Sequence, residues 1–584
     1  MKVQLAQVDT IPSDAPVGAE VNGLSLVLVR AGDSIKTYYG RCPHQNAMLD
    51  EGHVVDGKLV CQLHGWAYDT QSGEKIGSPS ACLDAFKTTI EDGWVCIDDQ
   101  EVISYQQAKG LVPVEIQRTV KSLPGPKGKP IVGNIPDIDF PVFHQQLHEW
   151  AKEYGDMYKI KMGPSGNFVI VADAEAIQIV LRDRPDTFRR IKKLEQVFTE
   201  TGALGVLSAE GDTWRRHRKI TAKGLNALVI KEFYPNIEEI GRRLQDRWNT
   251  AIAAGNKLPI LEELLRFTVD VTTFMVMGYD INTLQNEEDT IQEQLHLIFP
   301  AYYNRINAPI PYWRLFKLPA DRRLDRAFKI VYDHVDKLVD MARKRMDENP
   351  ALHVAPTNFL EGMLSDTGDG MKVTEAELKG NIITLLVAGE ETTAHTLSWV
   401  MYFLSQHPDM QRKLQEEVDR VLGDRFIPTY EETSSFPYME AVIMETFRLK
   451  PVAPLSYMGT VKDTVLKGVQ LPKDTPLILV HHHPGKLEEY FESADTFNPD
   501  RWMEGGSAGT HQADVITPFG GGPRFCPGRG LAYMEMKVVL SIIARSYQVS
   551  LVDDPSSVSE ILAFSMMPSS FFVNFEPRVA EPVS

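Results

Sequence analysis

Apolar and polar positions along the first hundred residues alternate in short runs. Residues 24–30 (LSLVLVR), 35–39, 59–61, 86–90 and 94–97 are rich in β-branched, aromatic and aliphatic side chains, and turn signals such as Gly32-Asp33, Asp56-Gly57, Ser72-Gly73 and Asp92-Gly93 separate them. This spacing predicts a small all-β sandwich or barrel over residues 1–105. The strand pattern fades from Gln106 to Lys121, and the proline- and glycine-rich run SLPGPKGKPIVGN follows it at 122–134. Residues 106–121 are therefore expected to be a linker, able to reach on the order of 50 Å when extended. Residues 122–584 form a second domain. There the apolar period lengthens to that of helices, as at 143–154, 174–182, 261–278, 323–345 and 410–422, with short strands near 158–161 and 168–171. The longest helical pattern starts at a capping box, Thr374 with Glu377, and runs to Gln406, a length of roughly 50 Å. The expected class is multidomain, a small all-β domain followed by a mainly α domain with a minor β-sheet. His144 and His148 fall one helical turn apart and are expected on an exposed helix face.

Charge and composition narrow the function. A formal net charge of −18 argues against nucleic acid, whose phosphates need a basic surface. Residues 1–110 carry 15 acidic and 8 basic side chains, so this segment is disproportionately acidic and suited to steering toward a basic surface. No run approaches the about 18 apolar residues of a membrane span, so no transmembrane segment is expected. Residues 1–16 do not read as a signal peptide, the expected location is cytoplasmic, and the five cysteines need not pair.

Two cysteine-histidine pairs lie in the β region, Cys42-Pro43-His44 and Cys61-Gln62-Leu63-His64, with 16 residues between His44 and Cys61. Two thiolates and two imidazoles at this spacing suit tetrahedral zinc, or an iron-sulfur cluster with both sulfurs on one iron and both imidazoles on the other. The surrounding segments, CPHQNAMLDEG and CQLHGWAYDTQSGE, resemble the cluster-binding loops of Rieske [2Fe-2S] proteins. That resemblance implies a [2Fe-2S] cluster on Cys42, His44, Cys61 and His64. High-potential members of the family carry a cysteine in each loop and a serine after the second His-Gly; here Ala47, Leu63 and Trp66 stand there, while the family's tyrosine is kept as Tyr68. Fewer hydrogen bonds to the cluster place the expected potential at the low, ferredoxin-like end, roughly −150 mV. Cys82 and Cys96 match no ligand position and are expected in the core.

In the second domain the segment FGGGPRFCPG, from Phe519 to Gly528, presents Cys526 on a turn with Arg524 beside it. A thiolate metal ligand needs backbone donors and a nearby cation, which such a loop supplies; a buried free cysteine in a Gly-Pro loop is the bland alternative. The long helix carries Ala388-Gly389-Glu390-Glu391-Thr392-Thr393 at its middle, a costly composition for a helix centre; the glycine is expected to make room for a ligand, and an acid beside an alcohol suits proton relay. Three more signals follow: Glu445-Thr446-Phe447-Arg448, the run FNPDRW containing Arg501, and GDTWRRHRK with Trp214 and Arg218 one turn apart. Together, in this order, they resemble the cytochrome P-450 family of haem-thiolate monooxygenases, from about Ser122 to the C-terminal end.

The resemblance implies haem b with Cys526 as its thiolate ligand, Phe519 beside the sulfur, and Trp214, Arg218 and Arg524 on the propionates. It places Gly389, Glu391 and Thr392 on the oxygen side and makes Glu445, Arg448 and Arg501 a buried charge network. The family usually has a basic, propionate-binding residue near Met458, where methionine cannot serve. The implied protein is a natural fusion: a monooxygenase using O2 on a hydrophobic small molecule, its electrons relayed by the fused cluster. No Gly-x-Gly-x-x-Gly motif or flavin-reductase segment is visible, so an external NAD(P)H-dependent flavoprotein ferredoxin reductase is expected as the electron source. The competing classes are a redox or gas sensor carrying both centres, and a peroxide-driven haem enzyme. Apolar and aromatic residues in 191–206, 299–313, 451–458 and 566–572 are the expected substrate-pocket stretches.

Overall fold

The computed structural model describes residues 2–43, 48–62, 66–77, 82–109, 116–286, 290–365, 373–503 and 511–578. In the N-terminal unit, a four-stranded antiparallel sheet runs Val17–Val21, Leu24–Ala31, Ser34–Tyr39, Ala85–Phe86, and a three-stranded sheet joins Lys2–Gln7, Trp94–Asp98 and Thr89–Glu91. The hairpin turns carry residues that tolerate the left-handed region, with φ of 50° and 69° at Asp56-Gly57 and 49° and 79° at Asp92-Gly93. The run 86–90, read as one strand, is two. Ala85–Phe86 pairs with Ser34–Tyr39 while Thr89–Glu91 pairs with Trp94–Asp98, so the chain changes sheets between them, where the Lys87 amide bonds the Glu101 carboxylate. A third small sheet, His53–Val55, Lys58–Val60 and Ala67–Asp69, stands apart from these two.

The stretch expected to be a linker holds structure at both ends. A helix, Asp99–Ala108, enters it and seats Tyr105 against Phe86, with ring centroids 5.1 Å apart. Arg118–Thr119 is a strand paired with Val469–Leu471 of the helical unit. These elements are too short for periodicity to reveal, and residues 110–115 lie outside the described residues.

The helical unit is built around the helix Glu375–Leu404. It starts where the capping box places it: the Thr374 amide donates to Glu377 Oε2 at 2.8 Å, and the Glu377 amide donates to Thr374 Oγ1 at 3.3 Å. Most of its length is buried, and its principal neighbour is the helix Ile260–Met277. A five-stranded mixed sheet ordered Met157–Lys161, Asn167–Val171, Pro476–Val480, Leu455–Thr460, Phe188–Arg190 flanks the helices. His144 and His148 do not lie on an exposed face. They are buried beneath His482 and His483 just past the strand Pro476–Val480, with His148 Nδ1 2.8 Å from His483 Nδ1 and His144 paired with Glu560. Cys96 is buried as expected, but Cys82 is exposed, because its backbone pairs with Glu74 at the rim of the N-terminal unit.

The two units touch through charged side chains. Arg215 Nε lies 2.6 Å from Glu51 Oε1, and Arg41, adjacent to Cys42, approaches Asp183 at 4.0 Å and donates to the Arg182 carbonyl at 3.4 Å.

Candidate functional site

The Cys526 loop is shaped by two glycines. Gly520 and Gly522 have φ of 72° and 62°, and a Cβ on Gly522 would meet the Leu181 carbonyl oxygen at 2.4 Å. The Cys526 amide donates to the Phe519 carbonyl at 3.0 Å and closes the loop, and the helix Arg529–Ser546 begins three residues further on. Burial pushes the Cys526 thiol up, while the amides of Gly528 and Arg529 and the charges of Arg218 and Arg529 favour its thiolate. Phe519 packs edge-on against Phe447 at 5.2 Å.

Cys526 opens on a cavity of about 350 Å³ whose wall includes Trp214, Arg218, Gly389, Thr392, Phe519 and Arg524. The helix Gly211–Gly224 brings Trp214 and Arg218 to it on one face, and the Arg524 guanidinium stacks 4.7 Å from the Trp214 ring. Arg524 also donates to the Ala209 carbonyl at 2.8 Å and lies 2.8 Å from Glu210.

Two further arginines in the wall, Arg184 and Arg190, were not singled out by sequence reasoning. Arg190 is the strand partner of Met458, so a cation stands directly across from the position where methionine replaces the family's basic residue. That pairing joins segments far apart in the chain, and no local signal marks it. The Nε atoms of Arg184, Arg190 and Arg218 are buried with no hydrogen-bond partner. Burial and the neighbouring guanidiniums push the Arg524 pKa down. Of the four guanidiniums in the wall only Arg184 and Arg524 pair with the Glu210 carboxylate, so the cluster calls for further anionic charge, and the two propionates of a haem fit that demand.

Of the three residues expected on the oxygen side, Gly389 and Thr392 line the cavity and Glu391 is not part of its wall. Gly389 lines the cavity, but the space left by its missing side chain is filled by Thr272, whose Cγ2 and Oγ1 would each lie 2.8 Å from an added Cβ. The glycine thus permits two helices to touch. Thr392 Oγ1 donates to the Ala388 carbonyl at 2.9 Å. Glu391 is buried behind the cavity wall and accepts a 2.8 Å hydrogen bond from Ser565, a wall residue. Burial pushes the Glu391 carboxyl up to about 8. A second buried acid in the wall, Glu535, is likewise pushed up to about 8 by burial and is hydrogen-bonded to Thr393.

Glu445, Arg448 and Arg501 are brought together as a buried network. Arg448 grips Glu445 through two bonds of 2.8 and 2.7 Å, and Arg501 and Trp502 donate to the same carboxylate at 3.1 and 2.8 Å. The substrate-pocket stretches are partly as expected. Leu194, Val206, Phe299, Ile306 and Tyr457 line the cavity, but from the C-terminal region the wall takes Leu562, Phe564 and Ser565 rather than residues 566–572. The hairpin of Glu560–Ala563 and Ser565–Pro568 turns at Phe564, with φ of 85°, and this turn faces the cavity.

In the N-terminal unit Cys42 and Cys61 are buried at the mouths of two loops. The Arg41–Met48 bridge closes the first, and the Cys61 amide donating to the Trp66 carbonyl at 2.8 Å closes the second. Cys42 Sγ lies 3.1 Å from the Tyr68 hydroxyl, whose pKa burial and the nearby thiols push up. His44 and His64 lie outside the described residues. Two buried thiols beside a tyrosine donor, at the mouths of paired loops, fit a sulfur-ligated iron cluster.

Comparison with known proteins matches two families along the chain. The Rieske [2Fe-2S] domain family matches residues 1–87, and the cytochrome P-450 family matches residues 123–575. The protein LUTEIN DEFICIENT 5, chloroplastic, of Arabidopsis thaliana is 26% identical over 434 residues, covering 72% of this chain and 72% of its own. Cytochrome P-450 27C1 of Danio rerio is 28% identical over 468 residues, covering 76% of this chain and 84% of its own. A crystal structure of a cytochrome P-450 (CYP102L1) superposes with a TM-score of 0.67 at 23% identity, covering 78% of this chain and 99% of that one, and shares its fold. Among the described residues no helix is long and apolar enough to cross a membrane. The chain belongs to the cytochrome P-450 family and carries a Rieske [2Fe-2S] domain ahead of its haem-thiolate monooxygenase domain.

Proposed function

We propose that this monooxygenase inserts oxygen from O2 into a hydrophobic small molecule in the cavity beside Cys526, and that its Rieske domain relays electrons from an external NAD(P)H-dependent flavoprotein reductase. The observation that carries this reading is the cavity itself, with a glycine-loop cysteine at one side, buried guanidiniums at its rim and apolar side chains around it. When bound, the haem supplies the oxygen-activating chemistry and the cluster supplies single electrons.

The chain's own groups have separable tasks. Cys526 is the thiolate donor, supported by the Gly528 and Arg529 amides. Arg184, Arg190, Arg218, Arg524 and Trp214 hold the propionates. Leu194, Phe299, Leu562 and Phe564 bind apolar substrate and exclude water. Glu391, protonated through neutral pH by its burial, holds a proton behind Ser565, and Thr392 presents a hydroxyl on the same wall. Cys42, His44, Cys61 and His64 hold the cluster. The Arg41 contact sets the Cys42 loop against residues 182–183, and the neighbouring Leu181 carbonyl abuts Gly522 in the Cys526 loop.

The test is reductant consumption by the full-length holoprotein with labelled O2 and candidate apolar compounds. Consumption should need an added flavoprotein reductase and rise with a bound substrate, with label in the product. A sensor would form no product, a peroxide-driven enzyme would not need the cluster, and turnover with NAD(P)H alone would refute the external reductase.

A further inference from the structure

The buried acid of the long helix does not reach the cavity on its own. Glu391 and His395 stand one turn apart on Glu375–Leu404, both buried, and the strand Ser565–Pro568 packs across them. Ser565 Oγ donates to Glu391 Oε2 at 2.8 Å and lies 3.2 Å from His395 Nδ1, while Ser565 also forms part of the cavity wall. On the outer side His296, one third exposed, lies 3.3 Å from Glu390, the neighbour of Glu391. Burial pushes His395 down to about 3 and His296 down to about 4, so both imidazoles are neutral at physiological pH.

A serine hydroxyl has one proton and two acceptor sites. With Glu391 ionised, Ser565 donates to the carboxylate and accepts from His395 Nδ1–H. With Glu391 protonated, the carboxyl donates to Ser565 Oγ, which still accepts from His395 Nδ1–H, and the serine proton turns to an acceptor in the cavity. The His395 tautomer is the same in both protonation states, and only the serine proton changes partner.

We propose that Ser565 is the relay and positioning residue that connects the Glu391 carboxyl to the cavity, with His395 as the partner that orients its hydroxyl. In one transfer the carboxyl proton moves to Ser565 Oγ as the serine proton leaves for water in the cavity. The net result is one proton passed from Glu391 to that water, Ser565 unchanged and no electron moved. Glu391 then regains a proton from solvent water. This rests on the proposed monooxygenase reading, in which protons are consumed at the cavity.

The experiment is an infrared pH titration of the full-length holoprotein, following the protonated-carboxyl stretch assigned to Glu391 by its loss in Glu391→Gln. The wild-type band should fade with a midpoint near 8. Ser565→Ala removes a donor to the carboxylate, so the midpoint should rise by about one pH unit, Ser565→Thr should restore it, and His395→Phe should also displace it. Under the same conditions the fraction of reductant diverted to hydrogen peroxide should rise several-fold in Ser565→Ala and return in Ser565→Thr. A wild-type midpoint and peroxide yield in Ser565→Ala would overturn the relay. The thiolate-type absorption of the reduced carbon monoxide complex, recorded on each variant, separates this from failure of the monooxygenase reading, because it depends on Cys526 and not on Ser565.

Discussion

At the scale of single residues, Gly389 shows how one position serves two neighbours. It borders the cavity, yet its missing side chain is demanded by Thr272 on the crossing helix. Gly389→Ala should destabilise the protein by about 1–3 kcal/mol through overpacking. Adding Thr272→Ala, which leaves the nearest remaining atom at 3.5 Å, should recover most of that loss in chemical denaturation. Were Gly389 needed only to admit a ligand, the second substitution would recover nothing. The residues legible in the sequence, such as Cys526 and its flanking glycines or Thr374 and Glu377, are those whose chemistry is complete within a few positions. Arg190 opposite Met458, Ser565 against Glu391, and the burial of His144 and His148 under His482 and His483 were not legible, because each joins segments hundreds of residues apart or from separate strands.

At the scale of elements, the Glu445 network fastens the helix Pro437–Leu449 to the turn Pro499–Trp502 and to the chain between them. Arg448 also donates to the Thr496 carbonyl at 3.0 Å, and the Asn498 amide donates to Glu445 at 2.9 Å. Glu445 and Arg448 have no exposed side-chain surface. Removing one partner leaves uncompensated buried charge, so Glu445→Ala should cost about 3–5 kcal/mol and lower the amount of folded, haem-loaded protein. A thermal unfolding midpoint matching the wild type would contradict this. The helices announced themselves through a long apolar period and caps. The short strands Ala85–Phe86, Thr89–Glu91 and Arg118–Thr119 did not, because their lengths are set by which sheet receives them.

At the scale of the whole molecule, the acidic N-terminal unit meets the helical unit beside the residues that face the cavity. Arg215 is the chain neighbour of Trp214 and binds Glu51 across the boundary while also reaching Asp186 and Asp212. Half-exposed pairs of this kind add little stability but set approach and orientation. Glu51→Lys should slow electron delivery from cluster to haem by about tenfold at low salt, without altering the spectrum of either centre, and added salt should narrow the gap. Equal rates in stopped-flow reduction would show that this contact does not guide the transfer.

The central claim is that Cys526 is the thiolate of a haem reduced through the fused cluster. The measurement closest to it is the absorption spectrum of the reduced carbon monoxide complex of the full-length protein, with electrons supplied through the cluster. The wild type should give the red-shifted Soret band of a thiolate-ligated haem, and Cys526→Ser should lose that band while keeping the Rieske signal in electron paramagnetic resonance. A Cys526→Ser protein that kept the thiolate-type band would contradict the account.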